Sequence, residues 1–123
     1  MDEDEVERFD RRYRTTGTDV FLEIEREVLG VDYQATGYTT REEAASLGEL
    51  LAIGPSSRLL DLGSGCGYPG LYLARQTGCT VVTVDPVAAG AVASASRSIE
   101  DGLTDRHLSI VGYGQHLPLR PRA

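Results

Sequence analysis

The stretch Arg58 to Gly70, Arg-Leu-Leu-Asp-Leu-Gly-Ser-Gly-Cys-Gly-Tyr-Pro-Gly, leaves this chain few folds to choose from. Leu59, Leu60 and Leu62 form a short apolar run interrupted by Asp61, the pattern of a buried parallel strand. Gly63, Gly65 and Gly67 follow at alternate positions, and Pro69 suits the first position of a helix, where its missing N–H costs nothing. Strand, glycine turn, helix is the entry to a pocket of the nucleotide-binding kind. The glycines turn the backbone sharply and remove side chains where a ligand lies against the main chain.

Two ligand classes use such a turn. Gly65-x-Gly67-x-x-Gly70 fits the dinucleotide fingerprint, and Asp85 lies 20 residues after Gly65, where an acid reaches a ribose. Asp61, two residues before the first glycine, points the other way. It sets a carboxylate beside the bound molecule, which suits a cationic amine and a sulfonium better than two phosphates at an open helix N-terminus. The run Leu59-Leu60-Asp61-Leu62-Gly63-Ser64-Gly65-Cys66-Gly67 resembles the class I S-adenosylmethionine-dependent methyltransferases. The resemblance implies S-adenosylmethionine as cofactor, lined by Gly63, Ser64, Gly65 and Gly67, with Asp61 near its amine. It also implies that Asp85 holds the ribose and that Pro86 adjoins the adenine. The alternatives are a non-catalytic module that binds S-adenosylmethionine and an NAD-binding Rossmann domain.

With 123 residues the chain has length for one domain and a modest core. Net charge is −7, all 12 basic side chains are arginines, and no basic stripe occurs. That balance argues against nucleic-acid binding, which is driven by basic contacts to phosphate. No signal peptide and no run of bilayer length is legible, so a cytoplasmic protein without membrane contact is expected. Cys66 and Cys79 make no metal or disulfide framework, so no metal is expected, and Cys66 reads as a small buried thiol within the turn.

Along the chain, residues 1–4 read as a frayed acidic start. Val6, Phe9 and Tyr13 recur at helical spacing. Asp19 to Leu29 reads as a second helix with Val20, Phe21, Ile24 and Val28 on one side, Glu23, Glu25 and Glu27 on a wet face, and Gly30 past its end. Tyr33 to Thr40 is a polar aromatic loop. In the resembled family this segment covers the cofactor and helps form the acceptor site, which makes Tyr33, Tyr38 and Thr39 candidate lid contacts. An ordinary loop with packed tyrosines is the other reading. Thr40-x-x-Glu43 has the spacing of a capping box and opens a helix through Leu47, Leu50 and Leu51, ended by Gly54-Pro55.

After the turn, a short helix runs to Gln76 and Gly78 ends it. Thr80 to Val84 is β-branched throughout and reads as the second parallel strand, with Asp85 at its carboxyl end, where open parallel sheets bind ligands. A carboxylate there can accept from both hydroxyls of an adenosine ribose. Val87 to Asp101 reads as an alanine-rich helix with Val92, Ala95 and Ile99 as its stripe. His107 to Val111 reads as a third strand, with His107 structural. Gly112-Tyr113-Gly114 then stands where many relatives carry Gly-Asp-Ala. Tyr113 replaces the acid, and the resemblance implies adenine contacts from Tyr113 and the Gly114 N–H. His116 reads as a loop residue.

The expected architecture is therefore α/β: a Rossmann-like parallel sheet of three strands in order 3-2-1, preceded by helices. Residues 1–39 read as a helical lid segment and 40–123 as a partial S-adenosylmethionine-binding domain. A complete family member has seven strands, so the chain reads as truncated, with the first strand's outer edge unpaired. Such an edge invites self-association or a partner chain. The expected function is methyl transfer to a small-molecule acceptor. No catalytic residue is legible, because aligned methyl transfer from a sulfonium makes a general base optional.

Overall fold

A computed structural model describes residues 1–121. The last two residues of the expected second segment, Arg122 and Ala123, lie outside the described residues. The elements run α1 (Glu3–Thr16), α2 (Asp19–Leu29), α3 (Arg41–Leu50), β1 (Arg58–Leu62), α4 (Gly70–Thr77), β2 (Thr80–Asp85), α5 (Ala88–Glu100) and β3 (His107–Val111). The three strands form one parallel sheet in the order β1-β2-β3, the expected 3-2-1 read from its other edge. Leu60 stands opposite Val82, and Val82 opposite Leu108.

Both helices that follow strands pack on one face of this sheet. A Cβ at Gly70 of α4 would stand 2.6 Å from Asp61 Oδ2 and 3.2 Å from Val81. On α5, Ser109 Oγ of β3 donates to the Ala91 carbonyl at 3.1 Å. The main core lies under this face: Leu71, Ala74, Cys79, Val81 and Leu103, closed by Leu29, Val31 and Tyr33 from the segment after α2. Leu60, Leu62 and Leu108 point to the other face and are exposed. Parallel sheets are ordinarily covered on both faces.

The helix stripes depart from the sequence reading. Val20, Phe21, Ile24 and Val28 of α2 are exposed, and Glu25, expected on a wet face, is 7% exposed. Its carboxylate accepts from the Tyr33 N–H at 2.7 Å and the Ala35 N–H at 3.3 Å. Those amides belong to an irregular segment with no ladder to pair them, so a buried acceptor is worth more there than another apolar contact. Val92 and Ile99 of α5 are likewise exposed, while Gly90, Ser94 and Ser98 are buried. On α3, Leu47, Leu50 and Leu51 are exposed and Ala44 and Gly48 are buried. Small residues at these contacts let the helix axes come close, which excludes bulky side chains from the same seam.

The chain start is also more ordered than expected. Asp2 and Glu5 form a complete capping box on α1, with the Glu5 N–H donating to Asp2 Oδ1 at 2.9 Å and the Asp2 N–H to Glu5 Oε2 at 3.1 Å. On α3 only half of the expected box forms, the Glu43 N–H donating to Thr40 Oγ1 at 3.1 Å. Helix α4 starts at Gly70, with Pro69 as its N-cap.

Arg97 ties α5 to the segment after α2. Its guanidinium lies 3.9 Å from the Tyr33 ring centroid, donates to the Asp32 carbonyl at 2.8 Å and pairs with Asp101 at 3.1 Å. Tyr33 in turn donates to Asp101 at 3.0 Å. His107 is bonded through its ring to Thr83 Oγ1 at 2.8 Å. Burial holds its pKa below the ordinary value.

Candidate cofactor site

The glycine turn is built by backbone geometry that side chains rarely adopt. Gly63, Gly65 and Gly67 have φ of +67°, +55° and +107°. The Val84 carbonyl at the end of β2 receives the N–H groups of Gly63 at 2.8 Å and Ser64 at 3.2 Å. Asp85, one residue on and 4% exposed, completes the turn. Its Oδ2 accepts the Gly65 N–H at 2.8 Å and its Oδ1 the Val87 N–H at 2.9 Å. The acid at the strand end thus holds the turn in shape while standing at the carboxyl edge of the sheet.

Asp61, expected near the cofactor amine, lies against the start of α4. Its Oδ2 accepts the Gly70 N–H at 3.2 Å, so the carboxylate caps the N-terminus of α4 and lines none of the cavities around the turn. Burial, with the nearby Asp85 charge adding to it, raises its pKa from 3.8 to about 6, although the Gly70 hydrogen bond works against the rise. The folded chain therefore keeps the Asp61 proton at a pH where the unfolded chain has released it. Stability from this group is greatest below about pH 4 and is lost as pH rises through about 6. Asp61→Asn removes that dependence. Urea denaturation from pH 4 to 7.5 is expected to show the variant gaining on the wild type by at most about 3 kcal/mol across this window. A constant difference would show that the group is not perturbed.

A cavity of about 220 Å³ opens on the turn. Thr36, Gly37 and Thr39 wall one side, and Gly63, Ser64 and Gly65 the other. The segment is fastened there by Tyr68, whose hydroxyl donates to the Thr39 carbonyl at 2.9 Å. Of the lid candidates, Thr39 is beside the turn. Tyr38 is 87% exposed, and Tyr33 is buried in the core, its ring 5.6 Å from that of Tyr68. Pro86 is half-buried next to Asp85. Tyr113 is exposed, its hydroxyl 3.5 Å from the Met1 carbonyl oxygen, and Gly114 is exposed, 3.9 Å from Leu62 at its Cβ position. Cys66 lies buried within the turn, and burial first, then the Asp85 charge, pushes its thiol up to about 12, so it stays a neutral thiol. Among the described residues no group of three or more His, Cys, Asp or Glu is placed to hold a metal, and no helix is long and apolar enough to cross a membrane.

Sequence reasoning missed Tyr13, Thr36 and Gly37. Tyr13 packs with Cys66 and Val87 in a second cluster, supported by Val6 and Phe9 of α1. Its place in the helical spacing was visible, but its destination, more than fifty residues away in sequence, was not. Thr36 and Gly37 carried only the signal of small residues in a polar loop.

These features fit S-adenosylmethionine better than a dinucleotide. The turn's amides at Gly63, Ser64, Gly65 and Gly67 are all spent on protein acceptors, and a carboxylate already complements the α4 N-terminus. A diphosphate would find those four amides occupied and the helix end already complemented by a carboxylate. At Gly63 a Cβ would meet nothing within 4 Å, so the main chain there is bare and open to a ligand.

The model of one protein family, described as protein-L-isoaspartate(D-aspartate) O-methyltransferase, matches residues 7–116. The chain belongs to that family. No curated protein matches it. Among solved structures, an S-adenosylmethionine-dependent methyltransferase from Geobacter sulfurreducens, in complex with S-adenosylhomocysteine, is 32% identical with a TM-score of 0.54. The match covers 61% of this chain and 29% of that one. Geranyl diphosphate C-methyltransferase from Streptomyces coelicolor is 25% identical with a TM-score of 0.61, over 85% of this chain and 38% of its own. A Methanococcus maripaludis protein shares the fold at 17% identity and a TM-score of 0.67, over 89% of this chain and 44% of its own. This member of the methyltransferase family spans about a third of the length of the first solved structures it matches, 35%, 29% and 31%.

Proposed function

We propose that the chain forms the S-adenosylmethionine-binding part of a methyltransferase acting on a small-molecule acceptor. The observation that carries this reading is the glycine turn closed on Asp85, with a bare main chain facing a cavity and its helix end already capped. The Geobacter relative, with its bound S-adenosylhomocysteine, supports the cofactor class. In this reading Gly63, Ser64, Gly65 and Gly67 lie along the cofactor. Thr36 and Thr39 offer polar groups from the covering segment. Asp85, with lone pairs left beside its two amide bonds, receives the ribose hydroxyls, and Pro86, Tyr113 and Gly114 border the adenine. Asp61 lies near the cofactor amine and also fixes the start of α4, the helix that follows the turn.

When bound, the cofactor supplies a methyl carbon activated by its sulfonium. The chain's own contribution is to hold that group in line with an acceptor and keep water away. Residues 1–39 act as a cover over the site built by residue 40 onward. The acceptor reading rests on the acidic balance of the chain, with its net charge of −7. In this reading further polypeptide or a second chain completes the sheet at the unpaired outer edge of β1, beside the exposed Leu60 and Leu62.

The test is calorimetric titration of the purified chain with S-adenosylhomocysteine and with NAD, its size first read by gel filtration. Saturable binding of the first and none of the second is expected, from a species larger than a monomer. Binding of NAD alone would overturn the cofactor reading, and a well-folded monomer would overturn the edge reading. Binding without turnover on any acceptor would leave the chain a binding module.

A further inference from the structure

Tyr13 stands where a ribose would have to lie to reach Asp85. Its ring fills the gap between two glycines on different elements. At Gly65 a Cβ would meet the Tyr13 hydroxyl at 3.4 Å and its ring at 3.6 Å, and at Gly90 of α5 it would meet the ring at 3.0 Å. Tyr13 is 6% exposed and covers an Asp85 that is 4% exposed. Burial, then the Asp85 charge, raises the phenol to about 12, so it remains a protonated donor facing a carboxylate.

The same ring walls one cavity and lies against Gly65, which lines another. The one lined by Gly65 is the space of about 220 Å³ at the glycine turn. The other is a space of about 500 Å³ walled by Tyr13, Asp10, Ala88 and Val92, and Gln34 borders both. The smaller alone is below the roughly 300 Å³ at which ligand pockets begin. With the ring withdrawn, the space it fills between Gly65 and Gly90 is added to the larger cavity.

Helix α1 is built to leave. Its N-terminus is closed by its own capping box, so it needs no partner to stay helical at that end. Its apolar grip on the body is Val6, Phe9 and Tyr13. A bond from Arg12 Nη2 to the Thr36 carbonyl at 3.1 Å also ties it to the segment over the turn. None of these ties belongs to the strand ladder, so α1 can open without breaking the sheet.

We infer that α1 is a gate whose Tyr13 occupies the ribose position in the free protein, so that S-adenosylmethionine enters only as α1 swings away. This rests on the cofactor reading above. A competent state populated only in part weakens apparent affinity by its fraction, and a variant that empties the position regains the difference.

The deciding experiment combines S-adenosylhomocysteine titration with amide hydrogen exchange over residues 3–16. The chains compared are the wild type, Tyr13→Ala and Arg12→Ala. Tyr13→Ala is expected to bind about tenfold tighter and Arg12→Ala about threefold tighter. In the wild type, saturating ligand is expected to speed exchange in α1. Slower exchange in α1 on binding, or weaker binding by Tyr13→Ala, would overturn the gate and make Tyr13 a wall of the occupied site. Should Tyr13→Ala not fold, the wild-type exchange and the surface variant Arg12→Ala decide alone. Folded chains that all fail to bind would overturn the cofactor reading and the gate together, whereas binding that neither variant alters would overturn the gate only.

Discussion

Asp85→Ala is expected to lose cofactor binding and a large part of the chain's stability together. The substitution strips the acceptor from two N–H groups, Gly65 and Val87, within hydrogen bonds of 2.8 and 2.9 Å. Both residues are buried, so water does not replace the carboxylate. An unsatisfied buried donor costs about 1–3 kcal/mol, giving a total of about 2–6 kcal/mol. Domains of this size hold only about 5–15 kcal/mol. The melting temperature is expected to fall by roughly 10–25 °C, and S-adenosylhomocysteine binding to become undetectable. Asp85→Asn keeps one carbonyl acceptor and is expected to fall between the two. An unchanged melting temperature in Asp85→Ala would show that the turn does not depend on this clamp. Because the acid serves both the turn and the ribose, the alanine variant alone does not separate the roles. The separation comes from Asp85→Asn measured at a temperature where it is folded.

Gly90→Ala is the second large effect, and its sign follows from two opposed terms. Alanine in a helix interior is worth about 1 kcal/mol over glycine. At this position, however, the new Cβ would stand 2.5 Å from the Gly65 carbonyl oxygen and 2.9 Å from its carbon. The obstacle is backbone of the glycine turn, which cannot rotate aside as a side-chain end does. Either α5 moves off the sheet or the turn opens, and overpacking of this kind costs about 1–3 kcal/mol or more. Net destabilisation of about 2 kcal/mol is expected in urea denaturation, with at least tenfold weaker S-adenosylhomocysteine binding. Gly54→Ala is the control, since a Cβ there meets nothing within 4 Å and φ is not left-handed. It is expected to change stability by less than about 1 kcal/mol. A stabilised Gly90→Ala would mean that α5 lies farther from the turn.

The two variants touch one contact from opposite sides, because Asp85 fixes Gly65 from β2 and Gly90 receives it on α5. A double-mutant cycle between them would be non-additive for that reason.

Much of this was legible in the residues themselves. Glycines at alternate positions after an apolar run force a strand-turn-helix, because left-handed backbone is open to them and closed to most other residues. A β-branched run from Thr80 to Val84 makes a strand, and its last residue stands at the sheet's carboxyl edge by topology alone. These are local constraints, and the sequence by itself determined them: the parallel sheet, its strand order and the position of Asp85. What lay beyond it were the pairings between distant segments. Periodicity marked the apolar stripes of α2 and α5 but not which side meets the body, and small residues took the buried seam. The buried place of Glu25, the cap made by Asp61 on α4 and the seat of Tyr13 between Gly65 and Gly90 were decided only by the tertiary structure. The reason is that a buried amide or a gap between two glycines is created by elements brought together from far apart in the chain. No local pattern records which side chain will be close enough to fill it.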